Sequence, residues 1–267
     1  MNVKIIESTD EPEKLICTAA RNDYEDRYVG DLSFHEAMSG ISQSDDLPDE
    51  VRQAYHDEQD IVLTRKMHHL ITETLLNHGH FGPFEHPHVT FAVEGVSRSL
   101  MAQITRHRHV SFDIQSMRYV GFDDAVPEPG EAVVRIPGLD DPGLTGRNAE
   151  FADGEEEMAD EVILRERRMC YERAIERSFN EYQNLLDLGV PAQDARMVLP
   201  IGTKVNMVFT LNLRMLMHVA DMRAAADAQW EIREMTEDVL DLAREWAPIT
   251  MHFYETEMKH RKNRLAP

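Results

Sequence analysis

A single α+β domain, with long helices flanking a mixed sheet, is what the sequence predicts, and three observations carry it. Apolar residues alternate at Val89, Phe91 and Val93 and again at Val205, Met207, Phe209 and Leu211, as in half-buried strands. They recur at helical spacing over 61–77 and 162–188. No internal repeat and no linker divides the 267 residues, so 1–267 reads as one domain.

The elements follow in order. Residues 1–6 form a short strand and 11–24 a short helix. Residues 42–60, polar and acidic, make a loop leading into the helix 61–77, whose stripe is Leu63, Met67, Leu70, Ile71 and Leu75. Gly79 suits its C-terminal cap. After the strand at 89–93, Ser97 is placed to cap a helix running to Thr105. Segment 123–161 holds 13 acids, two Arg and four Pro without a period, and reads as an acidic surface insertion. A long helix over 162–188 buries Tyr171, Ile175, Tyr182, Leu185 and Leu186, and Gly189 and Pro191 end it. The strand at 205–211 leads into helices at 213–222 and 227–246, the last closed by Pro248.

Composition narrows the class. No run of 18 apolar residues marks a membrane span, and the first residues lack the apolar core of a signal peptide, so a cytoplasmic chain is expected. Two cysteines, Cys17 and Cys170, exclude a disulfide framework and read as packing residues. Acids number 49 against 28 basic residues, a net charge of −21, and only six of the basic residues are Lys. At molar salt the Debye length falls to about 3 Å, so self-repulsion among such charges is small. The balance points to salt adaptation and argues against a nucleic-acid partner.

Two segments resist the acidification. Gly95–Phe122 holds Arg98, Arg106, Arg108 and Arg118 against Asp113 alone. Ala195–Arg223 holds Arg196, Lys204, Arg214 and Arg223 against Asp221 alone. Paired guanidiniums with few acids suit an anionic ligand, phosphate first. The densest cluster is Arg106-His107-Arg108 with Ser116 after seven intervening residues.

RHR-x7-S resembles the signature of the flavin-dependent thymidylate synthases, here of haloarchaeal type. HFGPFEH at 80–86 followed by VTFAVEGVSR, ARMVLP at 195–200, NLRMLMHVADMRAAADAQWEI at 212–232 and CTAARNDY at 17–24 look like the same family in the same order. The resemblance implies a methyltransferase that carries a methylene group from methylenetetrahydrofolate to C5 of dUMP, with NADPH-reduced FAD as hydride source. It also implies a homotetramer with sites shared between subunits.

Site residues carry over position by position. Arg106, His107 and Arg108 match the flavin-binding triplet, with Arg106 also reaching nucleotide phosphate. Asn212, Leu213 and Arg214 match a second flavin contact, with His218 where the family often has Asn. His80 matches the histidine that orients the flavin ring and faces folate, and Gly82 stands where Ser or Thr is usual. Gln103, Ser116, Arg118 and Arg196 match dUMP contacts, with Ile104, Thr105, Gln115 and Met117 in the same substrate-binding stretches and Tyr119 packing beside the nucleotide. Ile114 replaces a Gln or Glu, so its contact to flavin or nucleotide comes from backbone. Gln193 replaces a Glu and Asp227 a His. Arg223 matches the catalytic residue on the uracil edge, where a fixed guanidinium stabilises charge spreading over O2, N3 and O4. The competing use of Arg223 is a salt bridge to Asp221 or Asp227.

Two other function classes remain. A nucleotide- or flavin-binding regulatory module would keep the arginines without turnover. A zinc hydrolase would use His78, His80, His86 and His88 with Glu85, although their spacing matches no HExxH-like motif and no metal is expected.

Overall fold

The computed structural model describes residues 1–55, 61–119, 131–144 and 156–259. Four strands, β1 (Asn2–Ser8), β2 (His88–Ser97), β3 (Ser111–Ile114) and β4 (Lys204–Asn212), form one sheet in the order β1-β2-β4-β3. β1 and β2 pair antiparallel, with Val3 opposite Val93 and Ile5 opposite Phe91; a register shift between Ile5 and Glu7 accompanies an exposed Ile6. Further along, Thr90 meets Thr210 and the Gly95 N–H donates to Asn206 Oδ1, so residue numbers climb on one strand as they fall on the other. The same holds for Phe112 on Phe209 and the Gln115 N–H on the Asn206 carbonyl. The sheet is therefore antiparallel rather than mixed. Alternation reports one buried face, which antiparallel sheets commonly have, but it carries no strand direction.

The helices before β2 are α1 (Pro12–Arg21), α2 (Phe34–Ala37), α3 (Asp49–Ala54) and α4 (Ile61–His68). A capping box between Ser33 and Glu36 starts α2, and α3 lies inside the stretch 42–60 read as loop; residues 56–60 fall outside the described residues. α4 passes directly into a π-helical segment, His69–Leu76. There the buried pairs Leu70/Ile71 and Leu75/Leu76 are five residues apart, the spacing of an i→i+5 ladder. Gly79, at φ 73°, then reverses the chain, as expected of a C-terminal cap, and the His80 N–H bonds the Leu75 carbonyl.

After β2 come α5 (Arg98–Ile104), α6 (Glu156–Asp187), α7 (Ala192–Ala195), α8 (Leu213–Arg223), α9 (Trp230–Trp246) and α10 (Pro248–Phe253), the last followed by a π turn, Tyr254–Met258. Ser97 Oγ accepts the Leu100 N–H at 3.0 Å, so Ser97 is the N-cap of α5. α9 starts three residues later than its apolar pattern suggests, because the Gln229 side chain takes the Ile232 N–H and fixes the cap there. Pro248 opens α10 rather than closing the chain's helices; at the first helical position its missing N–H leaves nothing unpaired.

The chain divides into two compact units, one spanning 1–94, 103–113 and 207–267, the other 95–102 and 114–206. In the first, Val89, Phe91, Val93, Phe209 and Leu211 point into a core closed by Ile16 and Cys17 of α1, Met67 of α4, Leu216 and Met217 of α8 and Ile232, Met235 and Leu240 of α9, all buried. Each such large side chain contributes about 1.5–3 kcal/mol on burial. Phe91 and Phe209 meet at a tilt, ring centres 5.3 Å apart. Glu13, fully enclosed, ties α1 to α10: it accepts from the Thr250 N–H and hydroxyl and from Tyr55.

The second unit is built on α6. Ala132, Val133, Ile175 and Phe179 form its buried cluster, with Tyr171 and Leu199 against it. Val133 bridges Thr203 antiparallel, and the Tyr171 hydroxyl donates to the Val134 carbonyl at 2.6 Å. The acidic insertion is thus partly docked: its described part 131–144 packs on α6, and Arg135 and Arg168 both hold Asp140. α6 begins at Glu156, earlier than 162, because its first turns are acidic and carry no apolar period. Residues 120–130 and 145–155 lie outside the described residues. Cys170 is exposed, which corrects its reading as a packing residue; Cys17 is buried.

Candidate functional site

In the first unit, two chain segments bring the predicted residues together. The first follows α5. Ile104 is buried and anchors the end of that helix, and the turn after it leaves Thr105, Arg106 and Arg108 exposed while His107 folds inward, 6% exposed. The second is α8. It is buried on most sides, and Arg214, His218 and Arg223 are the polar side chains it sends to the half-buried surface. Arg214 and His218 are four residues apart and share a face.

Arg223 and His107 meet at the centre. Arg223 Nε donates to His107 Nε2 at 3.0 Å, and Arg223 Nη2 donates to the Gln103 carbonyl at 3.0 Å. These two bonds hold the guanidinium on its Nε and Nη2 side. His218 stands edge-on to His107, ring centres 5.7 Å apart. Burial, then the charges of Arg223, His218 and Arg106, holds the His107 pKa down to about 4, so the ring is neutral near pH 7. Burial and Arg106 pull the Arg223 pKa down from the ordinary arginine range. His218 is lowered as well, first by burial, with Asp221 opposing. Arg106 and Arg108 have no carboxylate partner among the described residues.

Beside this centre lies a cavity of about 390 Å³ lined by Glu85, His109, Asn212, Arg214, Met215 and His218. Asn212 ends β4 and caps α8, its Oδ1 accepting the Met215 N–H at 2.8 Å; the Leu213 N–H is taken by the Pro87 carbonyl. Arg214 pairs with Glu85 and lies over the Phe81 ring, 5.7 Å from its centre. The exposed His80 ring stacks on His78 at 6.2 Å. At Gly82 no atom lies within 4 Å of an added Cβ, so the space a Ser or Thr would fill is open.

The remaining predicted residues belong to the second unit. Half-buried Ile114 ends β3. Gln115 pairs with Asn206, its N–H on the Asn206 carbonyl at 2.9 Å and its Oε1 taking the Asn206 N–H at 3.2 Å. Ser116 Oγ accepts the Arg118 N–H, Met117 is buried, and the Arg118 guanidinium covers the face of Tyr119, which is 83% exposed. Arg196 Nε bonds the Gln193 carbonyl at 2.9 Å. Gln193 is exposed, as is Asp227 of the first unit.

Residues 4–249 match the family described as thymidylate synthase complementing protein. The chain belongs to this family. Two relatives named flavin-dependent thymidylate synthase, from Haloarcula marismortui and Halobacterium salinarum, are 56% and 53% identical over the whole of both chains. A solved UMP/dUMP methylase from Streptomyces cacaoi, bound with 5-Br dUMP, superposes with a TM-score of 0.64, covering 100% of this chain and 97% of its own, at 23% identity; it supports the fold.

Two residues that line this cavity, and one half-buried arginine of the second unit, escaped the motif reading. His109 lines the cavity next to Arg108; the RHRH string contained it, but the signature stops at the third residue. Glu85 was read within a histidine cluster, whereas it holds Arg214. Arg98 was counted only as segment charge; its Nη1 is buried without a hydrogen-bond partner among the described residues, and burial and Arg196 lower its pKa. Among the described residues no group of three His, Cys, Asp or Glu is arranged to hold a metal.

A flavin dinucleotide fits this donor set. Its diphosphate is anionic, and Arg106 and Arg108 are exposed cations without a carboxylate partner among the described residues. Its ring edges need hydrogen-bonding groups, which Asn212, Arg214, His109 and His218 offer around the cavity.

Proposed function

We propose that this chain is a flavin-dependent thymidylate synthase that converts dUMP to dTMP, with FAD held by His80, Arg106, His107, Arg108, Asn212, Arg214 and His218. The observation that carries the reading is Arg223: a half-buried guanidinium oriented by His107 and the Gln103 carbonyl, beside the like charge of Arg106. Such a group is built to meet an anion rather than to staple the fold.

Gln103, Arg106, Ser116, Arg118 and Arg196 bind dUMP, and the bidentate reach of Arg suits its phosphate. Arg223 stabilises negative charge spreading over O2, N3 and O4 of the uracil, which raises the nucleophilicity of C5 toward the methylene group of methylenetetrahydrofolate. No thiol attack on the pyrimidine is needed. Cys17 is enclosed and its thiol pushed well up by burial, and Cys170 lies on the exposed face of α6. Bound FAD, reduced by NADPH, supplies the hydride that completes the methyl group.

The enzyme works as a cytoplasmic homotetramer whose sites draw on more than one chain, each chain one domain with an acidic insertion. Exposed apolar Met197, Val198 and Ile201 next to Arg196 support a subunit contact there. Among the described residues no helix is long and apolar enough to cross a membrane.

The test is tritium release from 5-tritiated dUMP with NADPH and methylenetetrahydrofolate at molar salt, with and without added FAD. Release that depends on all three is the expected result. Binding of dUMP without release would instead make the chain a regulatory module. Sedimentation of a fully active monomer would end the shared-site proposal.

A further inference from the structure

The proposed chemistry asks for a guanidinium held at one angle to a flat ring, yet Arg223 sits on the last turn of α8, where a side chain with four rotatable bonds would otherwise sample many poses. Two acceptors remove that freedom. Nε and Nη2 form one edge of the guanidinium fork, and both are taken, by His107 Nε2 and by the Gln103 carbonyl, each at 3.0 Å. Of the five N–H donors of an arginine, three remain, two on Nη1 and one on Nη2. Two of these, one on each Nη, make up the end-on edge, the one suited to two parallel hydrogen bonds with a planar partner.

We propose that His107 is a positioning residue for Arg223: its Nε2 is the fixed acceptor that turns the end-on edge of the guanidinium toward the pyrimidine of dUMP. The inference rests on the functional reading above and assigns His107 a task distinct from flavin contact. For Nε2 to accept, the ring carries its proton on Nδ1 and no positive charge. The surroundings enforce this. His107 is nearly enclosed, and the charged or titratable groups facing it are Arg223, Arg106 and His218, none of which is a carboxylate. Its own N–H is tied to the Ile104 carbonyl at the end of α5, so the ring is mounted on a buried anchor. A glutamine places its carboxamide oxygen near where Nε2 sits, whereas an asparagine stops near Nδ1; the two variants differ in acceptor position and little else.

The experiment compares wild type, His107→Gln, His107→Asn, Arg223→Ala and the double variant His107→Asn/Arg223→Ala, each loaded with FAD. The readouts are dUMP affinity by calorimetry, kcat and KM, flavin content from the visible spectrum, and melting temperature. Loss of one hydrogen bond to a charged group predicts a fall of about 10- to 100-fold in dUMP affinity and kcat/KM for His107→Asn, read on protein saturated with FAD. His107→Gln should recover most of it. In the Arg223→Ala background, His107→Asn should have no further effect, since its route to the substrate is gone. Equal behaviour of the Gln and Asn variants, or losses that multiply in the double variant, would overturn the inference while leaving the enzyme class standing. Should His107→Asn lose its flavin, the Gln variant decides: flavin kept with dUMP affinity still lost overturns it. Wild-type protein that fails to bind dUMP would overturn the functional reading and this inference together.

Discussion

Replacing Arg223 by lysine tests whether the shape of the cation matters or only its charge. The guanidinium makes two bonds to protein, to His107 Nε2 and the Gln103 carbonyl, and keeps three donors for a ligand. A lysine ammonium has three donors in all and no fork, so it cannot satisfy both acceptors and still meet a planar edge with two parallel bonds. Losing a donor aimed at developing charge typically raises the barrier by about 2.7–4 kcal/mol, which is roughly 10²–10³ in kcat. Leaving one of the two acceptors unpaired destabilises the fold by about 1–3 kcal/mol. In a chain of this size that lowers the melting temperature by roughly 2–4 °C per kcal/mol. Arg223→Lys is therefore expected to stay folded, keep its flavin absorbance near 450 nm, and lose at least about 100-fold in tritium release. A lysine variant turning over at near-normal rate would show that a positive charge alone suffices, and the orientation argument would fall.

Three further outcomes follow from other parts of the molecule. Burial raises the Glu13 pKa above the ordinary carboxylate value, so the stability tied to its protonated form is full below about pH 4.3 and is lost as pH rises through the higher folded value; relative to wild type, Glu13→Gln should gain stability over that rise, measured as the difference in melting temperature against pH. A Cβ on Gly202 would meet Val133 Cγ1 at 3.0 Å, so Gly202→Ala should lose about 1–3 kcal/mol by overpacking the α6 unit, and an unchanged melting temperature would show that Val133 yields freely. With a net charge of −21, the protein should lose melting temperature steadily as KCl falls from molar to 0.1 M, where the Debye length grows from about 3 to about 10 Å; a flat profile would remove the case for salt adaptation.

Much of this was legible in the residues. Strands with one buried face announce themselves by alternation, and β2 and β4 lie where Val89–Val93 and Val205–Leu211 put them. Caps were legible where a side chain makes the bond, as at Ser97, and where φ must be positive, as at Gly79 and Gly189. The π-helical register of 69–76 was not: Ile71 and Leu75 also satisfy an i, i+4 spacing, and only the paired burial of Leu70/Ile71 with Leu75/Leu76 separates the two geometries. Docking of 131–144 was hidden because its buried residues, Ala132 and Val133, are two small side chains inside an acidic stretch. At the site, composition could mark the arginines as unneutralised, and the motif could assign them to ligands. Neither could foresee that Arg223 bonds His107, since that contact joins residues 116 positions apart.

Both helices that bear the central residues begin on the residue after a strand: Arg98 of α5 follows Ser97 of β2, and Leu213 of α8 follows Asn212 of β4. No connecting loop exists at either junction to absorb a change in length. One extra residue there would rotate everything downstream by about 100° around the helix axis. Arg214, His218 and Arg223 would swing off their bearing together, as would the Gln103 carbonyl. An insertion or deletion at either seam would therefore turn the site residues away together, where a substitution would leave their bearing unchanged.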